Sequence, residues 1–105
     1  MAGTPHVPVP YDAIRLICRK HHIRKLSLFG SVLRDDFGPE SDIDLLVEFD
    51  EGHTPGFFRL FEIAEELSRA FGGKTIDLLT PEDLSRYFRD DVVAAAEVCY
   101  AEAEG

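Results

Sequence analysis

The sequence predicts an α/β (α+β) fold, a small mixed sheet of about three strands flanked by helices. Three short apolar runs, Lys25 to Phe29, Asp42 to Phe49 and Lys74 to Leu79, have the length and composition of strands. Segments with helical periodicity separate these runs, as in chains that pack helices against a sheet. At 105 residues the chain has room for one such domain.

The N-terminal part of the sequence divides into an arm and the start of the domain. Residues 1–11 contain three prolines and are predicted to form a flexible arm, because closely spaced prolines prevent regular helix. The domain is predicted to span residues 12–105 and begins with a helix for which Asp12 is a suitable N-cap. The last turn of this helix is basic, so His21 and His22 are attributed to the helix end, where positive charge opposes the dipole.

Two predicted strands follow, joined by a short helix. Lys25 to Phe29 leads directly into a turn at Gly30. Ser31 to Phe37 is predicted to form two helical turns, which Gly38 and the proline after it end. Asp42 to Phe49 is apolar on both faces after its acidic start, and this pattern is typical of a central strand.

A long helix is predicted after the second strand. Thr54 and Pro55 form a suitable cap and first-turn pair, and the glycines at positions 72 and 73 end the helix. Apolar residues recur along one face, which predicts packing against the sheet. That face comprises Phe57, Leu60, Phe61, Ala64, Leu67 and Phe71.

The C-terminal part contains the third strand and two predicted helical segments. Lys74 to Leu79 is apolar apart from a single acid, Asp77. Thr80 to Asp83 has the cap, proline and acids of a helix start. A final helix is predicted to begin at Asp90 or Asp91 and to run through the sequence VVAAAEVCYAE.

Composition and charge restrict the class of function. With 45% apolar and 30% charged residues, the chain is typical of globular proteins, and the absence of a long apolar run or signal-like start predicts a cytoplasmic protein without membrane contact. The net charge of −9 disfavours direct binding of nucleic acid, which depends on Lys and Arg, and favours a basic protein partner. Cys18 and Cys99 are predicted to be core residues in a reducing compartment.

Two aspartates stand at the start of the central strand, ten residues after a Gly-Ser pair. Asp42 and Asp44 are two residues apart, so a strand places both carboxylates on one face. Adjacent like charges are unfavourable unless a cation lies between them, and Mg²⁺ prefers a few carboxylates together with water and substrate phosphate. Asp77 on a neighbouring strand could complete the set and accept a proton from an attacking group.

The residues around Gly30 supply candidates for an anion site. Gly30 permits close approach of a phosphate, Ser31 adds a hydroxyl donor, and Arg34 lies one turn later on the same helical face. Lys74 is a further candidate from its position before the third strand. The alternative is purely structural, with Ser31 as a helix cap and Asp42 as the cap of a loop.

The stretch GSVLRDDFGPESDID resembles the signature of minimal nucleotidyltransferases (MNT domains) of the DNA polymerase beta superfamily. The resemblance extends from about Ile14 to Tyr100 and includes LFGS, SDIDLLVEF and TIDLLTPEDL. It implies the nucleotidyltransferase fold, ATP as substrate and two Mg²⁺ ions as cofactors. It also implies that Gly30, Ser31 and Arg34 bind the triphosphate and that Asp42, Asp44 and Asp77 coordinate Mg²⁺.

The resemblance further implies an activity and a partner. Small members of this family are commonly encoded with a HEPN-domain ribonuclease toxin and act as its antitoxin, some by transferring AMP from ATP to a tyrosine of that toxin. We therefore expect a Mg²⁺-dependent protein adenylyltransferase with a HEPN toxin as its partner. The alternative is a catalytically silent antitoxin that neutralises its partner by binding alone. Transfer to a small molecule is disfavoured, because the chain leaves little room for a second pocket.

Overall fold

The computed structural model describes residues 7–33, 38 and 41–102, which form a sheet with two long helices packed on one face. The predicted α/β class is confirmed. In chain order the elements are α1 (Tyr11–Lys20), β1 (Ile23–Phe29), β2 (Ile43–Phe49), α2 (Phe57–Ala70), β3 (Ile76–Leu79), α3 (Arg89–Ala95) and β4 (Glu97–Ala101), with 3-10 turns at Gly30–Leu33 and Pro81–Asp83.

The sheet is mixed, with the strand order β3-β2-β1-β4. β1 pairs antiparallel with both β2 and β4, whereas β2 and β3 are parallel. The parallel connection runs through α2, which crosses from the end of β2 back to the start of β3. β1 and β2 are therefore the two inner strands.

The prediction of a final helix to position 102 was wrong, because the C-terminal segment adds a fourth strand to the about three that were predicted. The helix α3 ends at Ala95, and Ala96 is already extended, with ψ 144°. Three successive residues of β1, from Leu26 to Leu28, are buried, so this strand needs a hydrogen-bonded neighbour at both edges. β4 supplies the second neighbour, and this requirement overrides the helix propensity of the alanine-rich sequence.

The core lies between α1, α2 and one face of the sheet. Alternate residues of β2 point into it, as the period of two in a strand requires. Its buried members are Ile14, Cys18, Ile23, Leu26, Leu28, Val32, Ile43, Leu45, Val47, Ile63, Leu67 and Phe71. The opposite face of the sheet carries the other β2 side chains, among them Asp44 and Glu48.

The start and the buried face of α2 differ from the prediction. The helix begins at Phe57 with Gly56 as N-cap, rather than at the predicted Thr54–Pro55 pair. Phe57 and Phe61 are 80% and 61% exposed, although both were predicted to be buried. The helix is about 21 Å long, whereas the four-residue β3 spans only about 13 Å, so α2 is longer than the strand that follows it and not all of its turns can pack on β3.

Two other predicted helix starts also differ. Pro10, not Asp12, is the N-cap of α1. The segment Thr80–Asp83 forms one 3-10 turn instead of a longer helix, although the predicted cap is present, since the Thr80 N–H donates to Asp83 Oδ2 at 3.0 Å. The predicted helix Ser31–Phe37 lies partly outside the described residues, and within them a 3-10 turn is formed.

Both cysteines are free thiols that pack against the core, as predicted. Cys18 is fully buried, and burial raises its pKa to about 12, with Cys99 contributing in the same direction. Burial likewise raises the pKa of Cys99 to about 12, and its Sγ donates to Leu26 O at 3.3 Å.

These thiols are expected to resist alkylation in the folded protein. At pH 8 a pKa near 12 leaves roughly a thousandfold less thiolate than an unperturbed cysteine has. Iodoacetamide labelling followed by mass spectrometry should therefore give unmodified native protein and two modifications after denaturation in urea. Rapid labelling of native Cys99 would show that β4 detaches from β1.

Candidate functional site

Two of the predicted site residues are register partners on neighbouring strands. Asp44 of β2 and Asp77 of β3 are Cα partners across the parallel ladder, so their side chains project from the same face of the sheet. Ile43 and Leu45 flank Asp44 and point into the core. Asp44 and Asp77 therefore lie on the face of the sheet opposite α1 and α2. Asp44 is half-buried and Asp77 is exposed.

Asp42 lies directly before β2, whereas the sequence predicted it as the first residue of this strand. The adjacent Ile43 N–H donates to Thr75 O at 2.9 Å, which holds this part of the chain beside the start of β3. Asp42 is exposed and lines a cavity of about 420 Å³ whose walls also include Lys74. Lys74, the candidate from its position before β3, is thus at the same end of the sheet as the aspartates.

Gly30 directly contacts the carboxylate of Asp44. The glycine follows β1, whose last residue Phe29 pairs with Asp44, and its φ of +73° lies in the left-handed region. A Cβ at position 30 would overlap Asp44 Oδ2 and would lie 3.3 Å from Asp44 Cγ. Glycine is therefore required here both by the backbone conformation and by the neighbouring carboxylate.

The remaining phosphate candidates are only partly described. Ser31 lies in the 3-10 turn Gly30–Leu33, which is anchored by the fully buried Val32. The predicted roles of the Ser31 hydroxyl and of Arg34 concern side chains outside the described part of the chain. The described site thus consists of Gly30, the three aspartates and the wall formed by Lys74.

In the described site, Gly30 packs against Asp44 of β2, and Asp77 of β3 is in register beside it. This arrangement is consistent with the protein family that the sequence matches. The family model for polymerase beta nucleotidyltransferases matches residues 12–105. The chain belongs to this nucleotidyltransferase family. The match includes all the residues of the described site.

Individual relatives of this nucleotidyltransferase support the same grouping. A protein of Methanocaldococcus jannaschii with the provisional name protein adenylyltransferase MJ1379 is 37% identical over 70 residues, which are 67% of this chain and 69% of the relative. A solved structure of a provisionally assigned minimal nucleotidyltransferase is 29% identical with a TM-score of 0.67, covering 82% of this chain and 85% of that one. The resemblance to minimal nucleotidyltransferases is thus confirmed.

A third comparison concerns a complex of two proteins. The structure of a tri-AMPylated HEPN toxin of Shewanella oneidensis with its MNT antitoxin contains a chain that superposes with a TM-score of 0.61 at 22% identity. The superposition covers 89% of this chain and 71% of the other. At this identity the likeness establishes a common fold.

The carboxylate oxygens of the described site are suitable ligands for Mg²⁺. Carboxylate oxygens are the ligands that Mg²⁺ prefers, and the ion is usually held by one or two carboxylates together with water and substrate phosphates. Across residues 7–33, 38 and 41–102, no three His, Cys, Asp or Glu side chains converge closely enough to enclose a metal by themselves. The pair Asp44 and Asp77 therefore suits an ion whose remaining ligands come from a bound nucleotide.

None of the helices in the described residues has the length and apolarity needed to cross a membrane.

Proposed function

We propose that this nucleotidyltransferase transfers AMP from ATP to a side chain, a tyrosine in the first instance, of a HEPN ribonuclease toxin and thereby acts as the antitoxin. The observation that carries the proposal is the in-register pair Asp44 and Asp77 with Gly30 packed against Asp44. Support also comes from the adenylyltransferase name of the M. jannaschii relative and from the AMPylated toxin in the S. oneidensis complex.

In the proposed reaction, the acceptor oxygen attacks the α-phosphorus of ATP and the bond to the bridging oxygen of the β-phosphate breaks. Pyrophosphate leaves, and AMP remains attached to the acceptor. When bound, two Mg²⁺ ions would neutralise phosphate charge and polarise the α-phosphate. Asp42 and Asp44 would hold these ions, and Asp77 would also receive the proton of the acceptor hydroxyl.

The proposed phosphate-binding roles of Ser31 and Arg34 are carried over from the sequence motif. Gly30 has no side chain, so the Asp44 carboxylate can lie against the backbone of the turn that precedes Ser31. Ser31 and Arg34 would donate hydrogen bonds to the triphosphate, and Lys74 would add positive charge from the cavity that it shares with Asp42. These donors matter because the chain has a net charge of −9 and must attract an anion to an acidic site.

A protein acceptor is favoured by the exposed aromatic residues of α2. Phe57, Phe58 and Phe61 are 80%, 84% and 61% exposed and lie near one another at the start of the helix. Contiguous exposed apolar side chains are typical of protein interaction surfaces. A partner that covers them would also bring its acceptor side chain to the protein.

The experiment that tests the proposal compares two positions of the label in ATP. The protein and its HEPN partner are incubated with ATP labelled either at the α-phosphate or at the γ-phosphate, with and without EDTA. We expect the α-label alone to appear on the partner and EDTA to prevent this transfer. Transfer of the γ-label would identify a kinase reaction, and transfer that persists in EDTA would contradict the role of Mg²⁺.

A second candidate function is an antitoxin that neutralises its partner by binding alone. The observation in its favour is the exposed group Phe57, Phe58 and Phe61, because a partner can dock on these side chains without any reaction. In that case neither label is transferred, yet the protein still inhibits the ribonuclease activity of the partner. Measuring both readouts on the same sample separates the two functions.

A further inference from the structure

The end of the sheet opposite the aspartates contains a second cavity, of about 330 Å³. His22 directly precedes β1, and its carbonyl accepts from the N–H of Asp50, directly after β2, at 2.9 Å. Asp44 pairs with Phe29 at the other end of β1, so roughly 20 Å of strand separates the two sites. The cavity volume is within the range of roughly 300 to 1,000 Å³ that is usual for small-molecule sites.

The lining of this cavity is basic in a chain that is strongly acidic overall. Lys20 and Arg59 contribute permanent positive charges, and three histidines add imidazole groups, whereas no described residue that lines it is acidic. Lys20 contacts Glu66 at 3.2 Å and Arg59 contacts Glu62 at 3.8 Å. An ammonium group has three donors and a guanidinium has five, so one such contact leaves donors for a ligand.

The N-terminus of α2 opens into the same cavity. Its N-cap is Gly56, which makes no side-chain cap and lines the cavity, and the first turn contains no acid. The helical hydrogen bonds begin with the N–H of Leu60, which donates to Gly56 O at 3.1 Å. The N–H groups before Leu60 therefore present the positive end of the helix dipole to the cavity, and anions bind well at such ends.

An independent indication of a missing ligand comes from His21, which also lines the cavity. Its side chain is only 1% exposed, and Nε2 lies 2.8 Å from Glu66 Oε2, but the buried Nδ1 has no hydrogen-bond partner. Burial disfavours the charge of Glu66, yet the hydrogen bonds from His21 and Lys20 outweigh it and lower the pKa of this carboxyl. A buried nitrogen without a partner is costly, so a group that bonds Nδ1 would stabilise the protein.

The two other histidines form a fixed wall of the cavity. The rings of His22 and His53 are stacked, with centroids 4.1 Å apart and an interplanar angle of 20°. The positive charges of Lys20 and Arg59 disfavour a cation as the occupant. The imidazole edges add hydrogen-bonding groups beside these two side chains.

We propose that this cavity binds a small phosphate-bearing anion between Lys20, Arg59 and the N-terminus of α2. A hydrogen phosphate both accepts and donates hydrogen bonds, so it can partner Nδ1 of His21 in either protonation state of the ring. The site is distinct from the nucleotidyl-transfer site and does not depend on its activity.

The test is a titration of the ¹⁵N-labelled full chain with inorganic phosphate, followed by NMR in the absence of ATP and partner, with ionic strength held constant by NaCl. We expect saturable shifts of the amides from Gly56 to Arg59 and of the ring nitrogens of His21. Lys20→Ala and Arg59→Ala should each weaken binding about tenfold, the loss of one charge-assisted contact. Arg69→Ala is the matched control, because Arg69 is exposed on the same helix outside the cavity.

A second arm distinguishes the sources of the phosphate group. The second ligand is ribose 5-phosphate, which carries the same group on a sugar. Equal shifts with this ligand would assign the site to phosphorylated metabolites. A response to inorganic phosphate alone would assign the site to the free ion. Shifts that increase linearly without saturation would overturn the proposal. So would shifts confined to the surroundings of Asp42, or an equal loss of affinity in Arg59→Ala and Arg69→Ala.

Discussion

Asp44→Asn is expected to lower AMP transfer to the partner by about a thousandfold, equivalent to roughly 4 kcal/mol of transition-state stabilisation. Asp44 occupies the centre of the described site, since it pairs with Asp77 on one side and contacts Gly30 on the other. Asparagine keeps the size of the side chain but removes the charge that would hold Mg²⁺. Initial rates with α-labelled ATP, at saturating partner, measure the effect.

The fold of this variant should be preserved, because asparagine keeps the shape of the side chain and relieves the repulsion between neighbouring carboxylates. Its melting temperature should lie within a few degrees of that of the native protein, and it should still co-purify with the partner. Glu48→Gln is the matched control. Glu48 lies on the same strand and the same face, but it pairs with Arg24 at 3.3 Å, away from the aspartates. Similar activity losses in the two variants would contradict the assignment of the site.

The elements that could be predicted from the sequence are those with strong local signals. The strand beginning at Asp42 was predicted within one residue of β2, and the third strand was predicted from its apolar run, with a start two residues before that of β3. The contact between Gly30 and Asp44 fits the fixed spacing of the motif. Here local sequence and tertiary pairing favour the same structure, so propensity and pattern were sufficient.

The features that the sequence did not predict depend on contacts between distant segments. β4 forms because the buried β1 needs a second neighbour, and this requirement is invisible in the sequence of residues 97–101. The cavity brings Lys20 at the end of α1 to Arg59 in the first turn of α2, and His53 comes from the loop between β2 and α2. In the sequence these residues indicated only a basic helix end and a polar loop.

Gly30→Ala is expected to lower AMP transfer by about a hundredfold while leaving the protein folded. The new Cβ would overlap Asp44 Oδ2, so the carboxylate must move, and displacement of a catalytic group by about 1 Å can cost a hundredfold in rate. The φ of +73° adds backbone strain for alanine, so we also expect a loss of about 1 to 2 kcal/mol in the free energy of unfolding. Urea denaturation and transfer kinetics measure the two effects separately.

Gly52→Ala separates backbone strain from the overlap with Asp44. Gly52 has a φ of +80°, close to that of Gly30, but no atom lies within 4 Å of the Cβ that alanine would add. The two variants should therefore lose similar stability, whereas only Gly30→Ala should lose transfer. If Gly52→Ala lost as much activity, strain anywhere in the chain would explain the defect. If Gly30→Ala kept its activity, the position of the Asp44 carboxylate would not limit the reaction, and Asp42 and Asp77 would have to hold the metal.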